Sequence, residues 1–313
     1  MLLAVLACGT RWGLDAWGGN VIDVGYAGVA GAHSIASDRT PYGNMPSDNE
    51  NGDTYGPLNY VAYLPAIAVW HDTDWGNGLP AAKAVSIGSD VLCLLALVLV
   101  GWRWLSRRAA ALLALSWATC PWTLLALCSN SNDLLVAALV LLAFAALRHP
   151  VVRGIAIGAA VAVKFVPIVV CGAFAHCGLG RRWRQTWQTA IGVTIMIAAS
   201  VVFVAGWKGG WHAFVHATFG FQYGRVSPFS PWGMYGLRHL QQAAQAVLLV
   251  LVAWSAWRPR ARDFRQVAAG AAAALGGLEL TLQHWFYLYL PWMLGLVLVV
   301  LVAQRVDEAA PLR

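Results

Sequence analysis

The chain has 313 residues, of which 59% are hydrophobic and 11% charged, with 17 tryptophans and a net charge of +7. That composition excludes an ordinary soluble domain and predicts an all-α polytopic membrane protein. In such a chain the positive balance reports which loops face the cytoplasm and gives no reason to expect a nucleic-acid partner.

In chain order, the first stretch, "MLLAVLACG", is apolar but would rise only about 14 Å as a helix. It reads as the tail of a first span that starts upstream, because no basic start or small-residue cleavage site marks a signal peptide. Thr10–Ala82 then reads as an extracytoplasmic first loop, with Asp15, Asp23, Asp38, Asp48, Glu50, Asp53, Asp72 and Asp74 against Arg11 and Arg39. Inside it, Pro57–Trp70 is short for a span and carries Pro65, so an interfacial or re-entrant helix is expected there.

Spans are predicted over Lys83–Leu105, Ala109–Leu127, Leu134–Leu147, Ala190–Gly206, Leu240–Trp257, Val267–Leu282 and Trp285–Ala303. The short connections between them collect Arg107, Arg108, Arg148, Arg153, Arg181, Arg182, Arg184, Arg258, Arg260, Arg262 and Arg265, and are assigned to the cytoplasm. Gly154–Ala175 is long enough to cross, yet arginines flank both of its ends. It is therefore expected to enter, break at Lys164-Phe165-Val166-Pro167 and return, since Pro167 cannot donate to a helix ladder and disfavours helix at Val166. Broken helices at membrane depth occur where they line a cavity. On this reading Lys164 is the apex and points at an anion; the competing reading is a straight span whose lysine pairs with a carboxylate.

With no linker and no internal repeat, residues 1–313 form one integral-membrane domain, with the outer loop over 10–82 and a bundle over 83–303. The predicted count is about eight transmembrane helices plus the re-entrant one. The six cysteines have neither CxxC nor Cys/His ligand spacing. His212 and His216 lie one helical turn apart without a visible third ligand, which favours packing over metal. The outer acids could still hold a divalent cation.

Under this layout Asp23, Asp38, Asp133, Lys164, Arg225, Arg238 and His284 gather on the outer face. Carboxylates beside cations suit chemistry on a lipid-linked phosphate: a base activates a hydroxyl and cations hold the leaving group. Several of these residues have a second reading. Asp133 follows Ser131 and Asn132 at a helix start and could serve as a cap. His284 sits among Trp285, Tyr287, Tyr289 and Trp292 and fits an interfacial belt as well as a phosphate site. Glu279, an acid inside a span, is either a functional group or a helix–helix hydrogen bond. Phe219–Gly236, with Arg225, could cover a sugar or simply lie at the interface.

The stretches "DVGYAGVAGAHSIASDRTPYG" and "YGPLNYVAYLP" resemble the first outer loop of GT-C fold membrane glycosyltransferases. "SNSNDLLVAALVLLAFAAL", then "GIAIGAAVAVKFVP" and "LQHWFYLYLPW", is similar in order and spacing to glycosyltransferase family 87. The resemblance implies a GT-C-like bundle that takes a hexose, with mannose the first candidate, from a polyprenyl-phosphate-linked donor. The acceptor would be a lipid or glycan, the setting the membrane, and the anomeric centre would invert. Asp23 matches the family's catalytic carboxylate, and Lys164 and His284 match positions near the donor phosphate. Tyr26, Tyr55, Asp133 and Arg225 are the further substrate-binding candidates. Asp38 stands where glycine is usual, Asn132-Asp133 replaces a Gly-Gln-x-Asn pattern, and the first span is short, which keeps a non-catalytic truncated homologue open. A lipid-linked-sugar flippase or anion transporter is the alternative from another class.

Overall fold

A computed structural model describes residues 2–71, 73–75, 78–178, 181–220, 227–258 and 262–308. Among these residues the chain is helical, with no strand. Helix α1 runs over Leu2–Gly18, so it continues past Thr10, where the outer loop was expected to start. The physical reason is that Arg11 and Asp15 do not face solvent: both are buried against neighbouring helices, 2% and 0% exposed. The Arg11 guanidinium lies 3.2 Å from Asp90 and donates to the Trp117 carbonyl and Thr123 Oγ1. Charges that pair across helices are compatible with a span, and a hydropathy reading cannot see the pairing.

The outer region contains α2 (Asp23–Ala36), a 3-10 turn at Glu50–Asp53, and two short helices, α3 (Pro57–Val61) and α4 (Leu64–Ile67). The expected interfacial helix over Pro57–Trp70 is thus divided just before Pro65. Asp38, in place of a glycine, adopts φ +55°, a left-handed conformation that Asp and Asn tolerate better than most residues.

The bundle follows with α5 (Pro80–Trp104), α6 (Arg107–Thr119), α7 (Pro121–Cys128), α8 (Asp133–Ala145), α9 (Pro150–Val163), α10 (Cys171–Phe174) and α11 (Arg182–Ala205). The expected single span Ala109–Leu127 is instead α6 and α7, bent by 57° where Pro121 interrupts the ladder. Beyond α12 (Gly210–Val215), the last elements are α13 (Pro231–Met234), α14 (Arg238–Ser255), α15 (Phe264–Thr281) and α16 (Leu290–Glu308). Among the described residues three helices are long and apolar enough to cross a membrane, four if α6 and α7 count as one span. Helices α8 and α9 are apolar but shorter.

The core is built on α5, α6, α8, α9, α15 and α16 around Leu97, Trp117, Leu141, Phe144, Leu275 and Leu296. Outward-facing Trp102, Ile191, Val202 and Val250 remain exposed, as a lipid-facing surface requires. Small residues let α9 and α11 meet backbone to backbone. A Cβ on Gly154 would sit 2.1 Å from the Thr189 carbonyl oxygen, and one on Gly192 would sit 2.3 Å from that of Val151.

The segment Gly154–Ala175 doubles back. α9 ends at Val163, Lys164 is extended, Val166–Val170 is a 3-10 turn, and α10 returns. On an unbroken helix Arg153 and Ala175 would be about 33 Å apart, yet Arg153 Nη2 donates to the Ala175 carbonyl at 3.1 Å. Arg153 also bonds the Leu147 carbonyl and Thr189, and Arg262 donates to the carbonyls of Gly172 and Ala173. These two arginines, read from sequence as loop charges, are buried and hold the carbonyl end of the returning arm. That arm is too short to satisfy its own carbonyls.

Candidate active site

The elements run between two ends of the bundle. At one end lie the starts of α9, α11 and α15 and the close of α5. At the other lie Lys164, the start of α8, the end of α15 and the start of α16. There a cavity of about 780 Å³ opens. Asp23, Tyr55, Asp133, Lys164 and His284 all line it, although they come from widely separated parts of the chain.

Backbone pairing explains how Asp23 reaches this wall. Asn20 N–H donates to the Cys128 carbonyl and Ile22 N–H to that of Ser129, which ties the start of α2 to the turn before α8. Asp23 is exposed, its Oδ1 accepting from the Val24 amide at 2.9 Å and its carbonyl accepting from Asn49 at 2.7 Å. The opposite wall is set by Gly56, whose N–H donates to the Val163 carbonyl at 3.0 Å. A Cβ there would lie 2.2 Å from the Ala162 carbonyl oxygen, so only glycine brings the outer region this close to Lys164. Tyr55 is thereby placed with its ring 5.5 Å from the Lys164 ammonium.

Lys164 combines both readings of the sequence: it is the apex of a broken helix and it pairs with a carboxylate. Its ammonium lies 2.5 Å from Asp133 Oδ1. Rings of Tyr289 and Trp292 stand 5.4 and 5.3 Å away, so with Tyr55 three aromatic faces surround the cation. Asp133 accepts from Trp292 Nε1 and from Ser131 Oγ, so its carboxylate serves the lysine rather than the helix start. His284 Nδ1 is 2.7 Å from Ser227 Oγ, and its ring packs on Phe229 and Phe286.

Tyr26 is not brought to the cavity. It stacks on Trp75 at 4.7 Å and its hydroxyl reaches Asp48 at 3.3 Å, because its side of α2 faces the outer region's own small core. Asp38 is likewise not among the lining residues. Arg225 lies outside the described residues. Among the described residues no three His, Cys, Asp or Glu side chains are grouped to hold a metal ion.

The structure adds to Arg238, already expected on this face, three glutamines that the reading of single residues missed. Arg238, Gln241, Gln242 and Gln245 of α14 line the cavity. Gln241 and Gln245 donate to the Thr281 carbonyl, closing the end of α15. Their spacing puts all four on one helical face, and that periodic polar stripe in an apolar helix was the available signal. Chemically, the cavity offers an exposed carboxylate on one side and cations and amide donors on the other.

Solved structures share this architecture. The bound form of ArnT from Cupriavidus metallidurans, described as bound to undecaprenyl phosphate, superposes with a TM-score of 0.66 at 17% identity. Its apo form gives 0.70 at 18%. In both, 99% of this chain is covered but only 60% of the ArnT chain, so this chain spans well under the full length of that relative. No curated protein sequence matches. The sequence model of glycosyltransferase family 87 matches residues 54–282, a stretch that runs from the Tyr55 wall through Lys164 to the end of α15. With that much of the chain matched and the GT-C architecture around it, the protein belongs to glycosyltransferase family 87.

Proposed function

We propose that this chain is a membrane glycosyltransferase that moves a hexose, mannose being the first to test, from a polyprenyl-phosphate donor to a hydroxyl of a lipid or glycan. The observation carrying this is the shared cavity of Asp23, Lys164 and His284. Asp23 takes the proton of the acceptor hydroxyl as its oxygen attacks the anomeric carbon. The bond from that carbon to the phosphate oxygen breaks on the far side, which inverts the centre. The departing phosphate leaves as an anion held by Lys164 and His284, with Arg238 as a further cation, so no acid is needed. Tyr55, Tyr289 and Trp292 keep Lys164 extended toward the ligand, and Asp133 neutralises it until a phosphate arrives. Tyr26 supports the outer region in this scheme and touches no substrate. Binding of undecaprenyl phosphate by ArnT supports a lipid phosphate as donor leaving group.

By the positive-inside rule the arginine end faces the cytoplasm, so the cavity opens toward the extracytoplasmic leaflet. The test uses purified protein with a decaprenyl-phosphate-linked mannose and a glycolipid acceptor. Asp23→Asn is expected to lower turnover by about 10²–10⁴-fold while retaining donor binding. Undiminished turnover would remove Asp23 from the mechanism. In liposomes, donor translocated without sugar transfer would support the flippase alternative instead.

A further inference from the structure

A second cleft, of about 670 Å³, lies at the opposite end of the bundle from the cavity. It is lined by Arg148, Arg181 and Arg184, with Gln185 and Gln188 beside them and Trp104, Leu147 and Phe264 as apolar walls. Four other arginines at this end are engaged on backbone carbonyls: Arg103 on Ala145, Arg153 on Leu147 and Ala175, Arg182 on Trp257, Arg262 on Gly172 and Ala173. The three cleft arginines differ. All are exposed, and among the described residues no carboxylate pairs with them. Arg148 is oriented, its guanidinium stacked 4.7 Å over the Trp104 ring. The single acid on the lining, Asp263, is engaged in capping α15, its Oδ1 accepting from the Gln266 amide at 2.8 Å.

Two helix starts add to the field. α9 begins at Pro150 and α11 just after Arg181, both on the lining, and neither has a side-chain cap. Helix N-termini carry partial positive charge and spare N–H donors, so they add to three guanidiniums whose geometry suits a phosphate. A cleft with this charge and an apolar wall matches a ligand with a phosphate head and a greasy base.

We propose that this cleft is a second anion site that binds the phosphate of an anionic phospholipid at the arginine end of the bundle. Charge alone would draw such lipids to any basic membrane face; the cleft makes the interaction saturable and local. A free phosphate presents the same chemistry, and the experiment separates the two.

The experiment is thermal unfolding of the full chain, delipidated in detergent, titrated separately with dioctanoyl phosphatidylglycerol, dioctanoyl phosphatidylcholine and inorganic phosphate. A ligand that binds only the folded state raises the midpoint in a saturable way. Phosphatidylglycerol should do so and phosphatidylcholine should not. The R148Q/R181Q/R184Q variant should need about tenfold more phosphatidylglycerol for the same shift, whereas Lys164→Gln, in the other cavity, should respond like the parent. Should the triple variant fail to insert, Arg184→Gln, a change at an exposed position of α11, should displace the curve in the same direction by less. Inorganic phosphate acting at the same concentrations as phosphatidylglycerol would keep the anion site and assign it to a soluble ligand. Equal responses to both lipids, or loss of the response in Lys164→Gln but not in the arginine variants, would overturn the proposal.

Discussion

Among the described residues two ion pairs tie separate segments of the bundle together, and they are built differently. In the Arg11–Asp90 pair both partners are sealed, 2% and 0% exposed, and the carboxylate is saturated from within by Trp12 and Trp117 at 2.9 and 2.8 Å. In the Lys164–Asp133 pair the carboxylate is as deeply buried, but the lysine is 11% exposed and lines a cavity among aromatic faces. The first pair has no room for a third party, so it stabilises α1 against α5 and α6. The second has one side open, where the proposed donor phosphate would share the lysine. A buried charge thus indicates a ligand only when its surroundings leave space for one.

That contrast is strongest for the closed pair. Asp90→Ala leaves a guanidinium with no counter-ion in the bundle and should cost about 3–5 kcal/mol, read as a fall in unfolding midpoint or as failure to accumulate. A variant as stable as the parent would mean that Arg11 is neutralised in another way. For the open pair, Lys164→Gln should weaken polyprenyl-phosphate binding by about 10–100-fold with a smaller loss of stability than Asp90→Ala. Asp133 keeps Ser131 and Trp292, and the cavity admits water. Equal destabilisation by the two substitutions, with unchanged lipid binding, would erase the distinction.

Two smaller effects probe the wall beside Lys164. Gly56→Ala forces a methyl group against the Ala162 carbonyl, 2.2 Å away, and should push Tyr55 off the lysine. About 1–3 kcal/mol of stability should be lost, with transfer falling more than that loss explains. Turnover unchanged at reduced stability would show that Tyr55 placement does not matter. Asp53 gives the smallest signal. Burial of its carboxyl outweighs the hydrogen bond from Gly43 and raises its pKa above the ordinary 3.8. The folded state therefore holds this proton more tightly than the unfolded chain. Its contribution favours folding at low pH and is lost as pH climbs from that ordinary value through the raised one. Asp53→Asn should flatten this part of the stability–pH curve, and a curve of unaltered slope would point to another group.

Much of the fold was legible because it rests on local rules. The apolar runs set the helices, and the arginine-rich connections separated one end from the other. Pro167, without an N–H, marked the broken helix with Lys164 at its turn. The order of motifs brought Asp23, Lys164 and His284 to attention, and these do share a cavity. Tyr26 did not follow, because its position beside Asp23 in sequence fixes only its helix and not which face of α2 meets the cavity. The bend at Pro121 was missed for the opposite reason: the hydropathy on both sides is continuous, and continuity was taken for straightness.

By itself, then, the amino-acid sequence determined a membrane bundle, the helix break at Lys164–Pro167 and its family, since composition, period and proline chemistry act over a few neighbouring residues. Tertiary structure alone decided which charges are structural and which are open. Arg11 meets Asp90 across 79 positions of sequence and Arg153 meets Ala175 across a doubled-back helix. Lys164 meets Asp133, Tyr55 and Trp292 only once three separate segments converge. Pairing energy depends on distance and on the space left around a charge, and neither is a property of position along the chain.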